Sequence, residues 1–356
     1  MIYHNQPCLG AAESLAVADI LNSGRIATGD TVREFESRFA GFVGRRFGLA
    51  VNSGSTAILL ALKALGVGRK DEVILPTYVC SAVLNGIRAL GGLPRLVDVA
   101  ENSVNIDMER VERKITRRTR CVILPHMYGV PAPVDPQSPL GIPVIEDCAQ
   151  CFGMRYRGRG IGTFGDISVF SFYATKLMTT GQGGMLLTDD ASVYDFLRDI
   201  TDYDCRSEYR VRYNVSMTDF QAAMGLAQLN RVERFFEKRK RIADFYRSVL
   251  ESADRTDLLT FDAKERICYR FVLDTDAPDR WIRFFEQRGI TLINPLERYE
   301  LLHRYLGMEP AGFPNSEGIV DRTVSLPLYP SLDQESLEYI GKTIKAYLSE
   351  TRGRVQ

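Results

Sequence analysis

The chain has 356 residues, 45% of them hydrophobic and 25% charged, an ordinary balance for a soluble globular protein with room for two domains. Its 45 Lys and Arg equal its 45 Asp and Glu, so net charge offers no attraction to nucleic acid or to a membrane surface. Seven cysteines, an odd number scattered from Cys8 to Cys268, suit a reduced cytoplasm rather than a disulfide framework. The N-terminus, MIYHNQPCLGAAESLAVADIL, lacks a basic start followed by an uninterrupted apolar core. The longest apolar stretch, 57–65, contains Lys63 and is about half the length of a membrane span. A cytoplasmic protein with no membrane partner is expected.

From residue 45 to 190, short β-branched runs alternate with helical patterns. Strands are predicted at 47–51, 72–75, 93–97, 121–124, 144–146 and 167–171, with helices at 55–65 and 81–90 between them. Such alternation predicts an α/β fold, a mostly parallel sheet with helices on both faces. The basic run at 110–120 reads as a solvated helix face, because no aromatic residues interleave its charges. Cys148 and Cys151 form a C-x-x-C pair without a second ligand pair, and the chain has only three histidines. Buried thiols are therefore expected, and no metal. Residues 218–250 read as one long helix, followed by a strand at 268–274 and helices at 279–288 and 337–348. The change of pattern places a boundary near 245: a large domain over 1–245 with an N-terminal arm, and a smaller α+β domain over 246–356.

Four local features carry chemistry. In VNSGSTAILLAL (51–62) a strand ends in Ser53-Gly54-Ser55-Thr56 and a helix begins. Exposed amides and the positive end of a helix dipole make a phosphate seat there, although any Ser/Thr N-cap looks the same. In PVIEDCAQ (143–150) an apolar strand delivers Asp147 to its carboxyl end, where ligands of open α/β sheets sit; the same carboxylate could simply cap a helix. In FGDISVFSFYATK (164–176) Lys176 follows a strand, placed for an imine with an aldehyde or merely exposed on a loop. GQGGMLLT (181–188) permits close backbone approach, or is only a hairpin. Together, a phosphate seat, an acid for a ring nitrogen and a lysine for an aldehyde are the three grips that pyridoxal 5′-phosphate requires. A nicotinamide site would instead want G-x-G-x-x-G after the first strand, and the chain has none there.

At these residues the chain resembles the DegT-type sugar aminotransferases, a branch of the fold-type I pyridoxal phosphate-dependent enzymes. The matching stretches are VNSGSTA, PTYVCSAVLNGI, LPHMYG, PVIEDCAQ, FGDISVFSFYATK, GQGGMLLTDD, YNVSMTDFQAAMGLAQL and SLPLYPSLDQESLEYI, in one order between residues 25 and 345. The resemblance implies a large domain built on a mostly parallel seven-stranded sheet and a small C-terminal α+β domain. It implies that Lys176 is the imine lysine, that Asp147 pairs with the ring nitrogen, and that Gln150 lies near the phenolic oxygen. Ser55, Thr56 and Ser171 match phosphate contacts, with Gly54 in the same seat. The family is usually a homodimer whose neighbouring subunit completes each site, and its stretch for that purpose matches 213–217 here.

Several positions depart from the family pattern. Cys80 stands where many members place Phe or Trp over the cofactor ring, so either its thiol covers the ring or Tyr78, two residues earlier, takes part. Ser216 stands where many carry Arg or Asn, so the cross-subunit phosphate contact is expected either to be weaker or to pass to Asn214. Asn294 stands where a substrate-facing His is common. Between LPHMYG and PVIED, five prolines from 131 to 143 exclude an ordinary α-helix, although a parallel crossover remains within reach. The function implied is amination of a keto-sugar, nucleotide-linked, with glutamate as donor and Lys176 as the proton carrier. A pyridoxamine phosphate-dependent sugar dehydratase is the alternative within the family, opposed by Lys176, because such relatives carry His there. A catalytically silent, cofactor-binding regulatory protein is the alternative from another class.

Overall fold

The computed structural model describes residues 1–134, 140–261 and 266–352. The N-terminal arm leads into α1 (Ala11–Ser23) and α2 (Asp30–Val43). There follow β1 (Phe47–Val51), α3 (Gly54–Ala64), β2 (Glu72–Pro76), α4 (Ser81–Ala89), β3 (Leu93–Val97), α5 (Met108–Lys114), β4 (Thr119–Pro125) and β5 (Val144–Asp147). A small hairpin, β6 (Arg155–Tyr156) and β7 (Arg159–Gly160), precedes β8 (Ile167–Ser171), β9 (Gly184–Thr188) and α6 (Ala191–Thr201). The remainder is α7 (Asp219–Leu229), α8 (Val232–Ser252), β10 (Phe271–Asp274), α9 (Pro278–Glu286), α10 (Leu302–Tyr305), α11 (Pro314–Arg322), β11 (Thr323–Leu326) and α12 (Gln334–Arg352).

Seven strands form the central sheet in the order β1-β9-β8-β5-β4-β2-β3. Only β9 runs antiparallel to its neighbours, β1 and β8; the other four pairings are parallel. The predicted mostly parallel seven-stranded sheet is therefore present. Alternation along the strands explains why both faces are covered. Leu49, Val51, Val169 and Leu186 pack with α3, α4 and α6 on one side. Ala50, Phe170, Met185 and Leu187 pack with α2 and α7 on the other. A separate cluster joins Ile242–Leu250 of α8 to β10, β11, α9 and α12. The expected boundary near 245 thus falls inside α8, whose first turns pack in the sheet-side cluster through Val232 and Phe235.

Two expectations need correction. The long helix predicted over 218–250 is two helices, with the turn at Asn230 and Arg231. Tertiary anchors hold that turn: Arg231 pairs with Glu13, and the Arg38 guanidinium donates to Asn230 Oδ1 at 2.5 Å. The basic run at 110–120 is helical only through Lys114, and Arg118 and Arg120 instead pair with Glu72 and Asp71. In the proline-rich crossover, residues 131–134 and 140–142 form no helix, and β4 and β5 on either side are parallel neighbours. Pro136 and Pro139 lie outside the described residues.

Candidate active site

Because β1, β2, β4, β5 and β8 run the same way, their carboxyl ends share one edge of the sheet. Beyond β1, Ser53 caps α3: its hydroxyl accepts the Thr56 N–H at 3.1 Å. The amides of Gly54 and Ser55 open the helix and have no intrahelical partner. A Cβ on Gly54 would stand 2.8 Å from Ser171 Cβ, and one on Gly184 would stand 2.7 Å from Gly54 N. The glycine cluster therefore serves close approach, pressing the end of β8 and the start of β9 against the mouth of α3. Among the described residues, the hydroxyls of Ser55 and Ser171 have no hydrogen-bond partner, whereas Thr56 Oγ1 donates to Asn52 Oδ1 at 2.7 Å. Two free hydroxyls and a helix N-terminus make a seat for a dianion, with Thr56 shaping it more than filling it.

Asp147 closes β5 and is 7% exposed. Burial raises its carboxyl above the usual range, against the opposing pull of the Ala149 N–H and the Lys176 charge. A buried carboxylate of this kind gains most from a cationic partner, such as a protonated ring nitrogen. Its neighbour Glu146 is committed elsewhere. That carboxylate accepts from Gly162, Phe164 and Gly165 N–H and from His126 Nε2, while His126 Nδ1 accepts the Ala132 N–H at 2.8 Å. Burial opposes ionisation of Glu146, but His126 and these amides outweigh it and hold the carboxyl low. His126, Glu146 and Cys148 lie close enough together to suggest a metal cluster, yet the imidazole nitrogens and the carboxylate are already engaged. Cys148 and Cys151 are fully buried thiols, pushed upward by burial.

Gln150 Oε1 accepts the N–H of Tyr128, a residue held at φ +59°. That bond fixes the amide so that its NH2 is the group left over, a donor suited to an anionic oxygen. Cys80 is exposed at the N-cap of α4, at the same sheet edge. Tyr78 instead is fully buried, with its hydroxyl 2.5 Å from that of Tyr128 and pushed up to about 12 by burial. Of the two residues considered for covering a ring, only Cys80 is open to a ligand. The stretch at 213–217 lies along β1 of its own chain, through an Asn52 N–H bond to Val215 O at 2.7 Å and a bridge between Val51 and Ser216. The Asn214 side chain is exposed, with no hydrogen-bond partner among the described residues.

Lys176 is half-buried, and its surroundings hold what sequence reasoning missed. The Lys176 ammonium lies over the Tyr269 ring, 5.7 Å from its centroid. Gly129 explains how Tyr269 arrives. At φ +83° its Cβ position is filled by the Ile267 backbone, and its carbonyl accepts the Ile267 N–H at 3.0 Å. The segment before β10 is thereby docked at the carboxyl end of β4. The N-terminal arm arrives from the other direction: Asn5 donates to Thr175 O at 3.0 Å, one residue before the lysine. Burial opposes ionisation of the Tyr269 phenol, but Lys176, Arg270 and Arg239 outweigh it and hold the group below the ordinary tyrosine value. No motif spacing announces any of these partners.

A dianion seat, an amide donor, a buried carboxylate and an amine at one sheet edge define the site of a pyridoxal phosphate enzyme of fold-type I, and the residues present fit that cofactor. The model of the DegT/DnrJ/EryC1/StrS aminotransferase family matches residues 7–345, and the chain belongs to this family. It is 32% identical to the GDP-perosamine synthase of Escherichia coli O157:H7, over 97% of this chain and 98% of that one. The structure of DesV from S. venezuelae in complex with a ketimine intermediate is similar at a TM-score of 0.86 and 30% identity, covering 95% of this chain and 94% of that one. A putative sugar aminotransferase from Streptococcus pneumoniae, in its PLP form, is similar at a TM-score of 0.87 and 25% identity, covering 98% of each. The protein is a pyridoxal phosphate-dependent sugar aminotransferase. No helix among the described residues is long and apolar enough to cross a membrane.

Proposed function

We propose that this cytoplasmic enzyme moves an amino group from glutamate to the ketone of a nucleotide-linked sugar, with Lys176 as the reactive amine. The observation that carries this reading is the meeting of Lys176, Asp147 and the glycine-tight mouth of α3 at one sheet edge. When bound, the cofactor supplies an aldehyde for amines and a ring that accepts electrons. The α3 amides with Ser55 and Ser171 hold its phosphate. Gln150 would donate to its phenolic oxygen, Asp147 would keep the ring nitrogen protonated, and Cys80 would cover the ring face. Lys176 would take a proton from the substrate carbon and return one to it, as base and then acid. The first half of the reaction leaves the amino group on the enzyme and the second passes it to the sugar, so the kinetics are ping-pong.

The working form is a homodimer in which Asn214 of each protomer reaches toward the phosphate held by the other. Its exposed amide and the exposed Tyr209 and Val211 on the same loop support this arrangement. The large domain ends near residue 245 and the smaller one continues from there. A sugar dehydratase is less favoured because Lys176 occupies the imine position.

The test is direct. Glutamate should convert the purified holoenzyme to its aminated form, and a panel of nucleotide keto-sugars should then restore the original spectrum. An enzyme left unchanged by every amino donor would instead be the silent regulatory protein.

A further inference from the structure

Three cations surround the Tyr269 ring: Lys176 at 5.7 Å from its centroid, Arg270 at 5.6 Å and Arg239 at 5.9 Å. Two of them have assigned work. Lys176 is the reactive amine, and Arg239, 1% exposed, donates to the carbonyls of Tyr269 and Leu328. Arg270 has no such employment. Among the described residues its guanidinium forms no ion pair and no hydrogen bond, and its Nε is buried without a partner. An unpaired cation with a buried donor is costly to keep unless a ligand completes it.

Its placement says which ligand. In the β10–β11 ribbon, Val272 faces Ser325 and Asp274 faces Thr323, while Phe271, Leu273, Val324 and Leu326 fill the C-terminal core. The alternation sends Arg270 to the Ser325 side, toward the large domain. Its charge is felt by the hydroxyls of Tyr78 and Tyr128, by Tyr269 and by His4. His4 is held neutral at ordinary pH: burial first, then Arg270 and Arg239, lower its pKa to about 3. Asp147 feels the Lys176 charge and Glu300 is felt at Tyr78, but among the described residues neither carboxylate pairs with Arg270.

We infer that Arg270 binds a carboxylate of the amino-acid donor, setting the donor's amine against the Lys176 position. This rests on the aminotransferase reading above. A planar guanidinium suits a carboxylate through two parallel hydrogen bonds, and a site walled by buried tyrosines strengthens them. The diphosphate of the sugar nucleotide is the competing anion, and the experiment separates the two.

Titrate wild-type holoenzyme and the Arg270→Gln and Arg270→Lys variants calorimetrically with glutarate, an unreactive dicarboxylate, and separately with a nucleoside diphosphate. In parallel, follow spectroscopically the amination of the cofactor by glutamate and by an amine lacking any carboxylate. Arg270→Gln should weaken glutarate roughly 10- to 100-fold, with Arg270→Lys recovering part of the loss. The preference for glutamate over the carboxylate-free amine should fall by a similar factor. Cofactor content and melting temperature, measured on each variant, report that the fold is intact. Unchanged glutarate binding in Arg270→Gln, glutarate that fails to bind the wild type, or weakening confined to the nucleoside diphosphate would each overturn the assignment. Failure of glutamate to aminate the wild type would instead count against the proposed function, because the glutarate titration reads Arg270 without any turnover.

Discussion

Two walls of the site are built differently. One is the sheet edge, where Ser53–Thr56, Asp147–Gln150 and Ser171–Lys176 each hang from the end of a strand. The other is carried in by residues 1–5 and 266–270, which lie far apart in the chain and meet beside Lys176. On the proposed assignments the first wall sets the cofactor's chemistry, and each of its pieces is a strand end with its own cap or turn. The second wall has no such local logic. It is assembled by docking, through the left-handed Gly129 and the bond from Asn5, and it brings Arg270, which has no ion pair among the described residues. The proposed assignments put chemistry on the sheet edge and recognition on the docked wall.

The largest effect should come from the sheet edge. Asp147→Asn removes the charge that holds the ring proton, and turnover should fall by roughly 100-fold or more. The same change should raise the stability of the cofactor-free protein. Burial raises the Asp147 pKa in the folded state, so the folded protein binds more protons than the unfolded one between the two pKa values. Stability is therefore lost as pH rises through that window, and the loss persists at neutral pH. Asparagine avoids it. Melting curves of both apo-proteins at pH 7 check this, and a less stable variant would contradict it.

A middle-sized effect tests the docked wall. His4, with Nε2 at 2.9 Å from Ser325 Oγ, has its folded pKa depressed to about 3. The fold excludes the imidazolium, so stability present above the unfolded value is lost as pH falls from about 6.5 toward 3. Between pH 6.5 and 5 the loss should be about 1.6 kcal/mol. His4→Gln should flatten that part of the curve in urea melts, and an unchanged slope would place the arm elsewhere. The smallest effect is expected at Cys80→Ser, where a thiol over a ring contributes little and turnover should stay within about threefold of wild type. A larger fall would show that sulfur does more than cover the ring.

This division also explains what could be read without coordinates. The six strands β1 to β5 and β8 that line or flank the edge, and the glycines at 181–184, announce themselves through β-branched runs and small residues within a dozen positions. The break at Asn230 does not, because α7 and α8 both carry helical periodicity and only Glu13 and Arg38, far upstream, hold the turn. Tyr269 and Arg270 look like ordinary strand residues in CYRFVLD. Nothing local distinguishes a tyrosine that will sit against a lysine nearly a hundred positions earlier. Thr56 is the converse case: its motif position matches a phosphate contact, but its hydroxyl is taken by Asn52.

The central claim is that Lys176 carries the cofactor, and one measurement addresses it. Borohydride reduction of the purified holoenzyme, followed by proteolysis and peptide mass analysis, should place the added cofactor mass on the peptide containing Lys176 and leave every other lysine peptide unlabelled. Label on a different lysine, or a wild-type protein that takes up cofactor without fixing any of it at Lys176, would contradict the account.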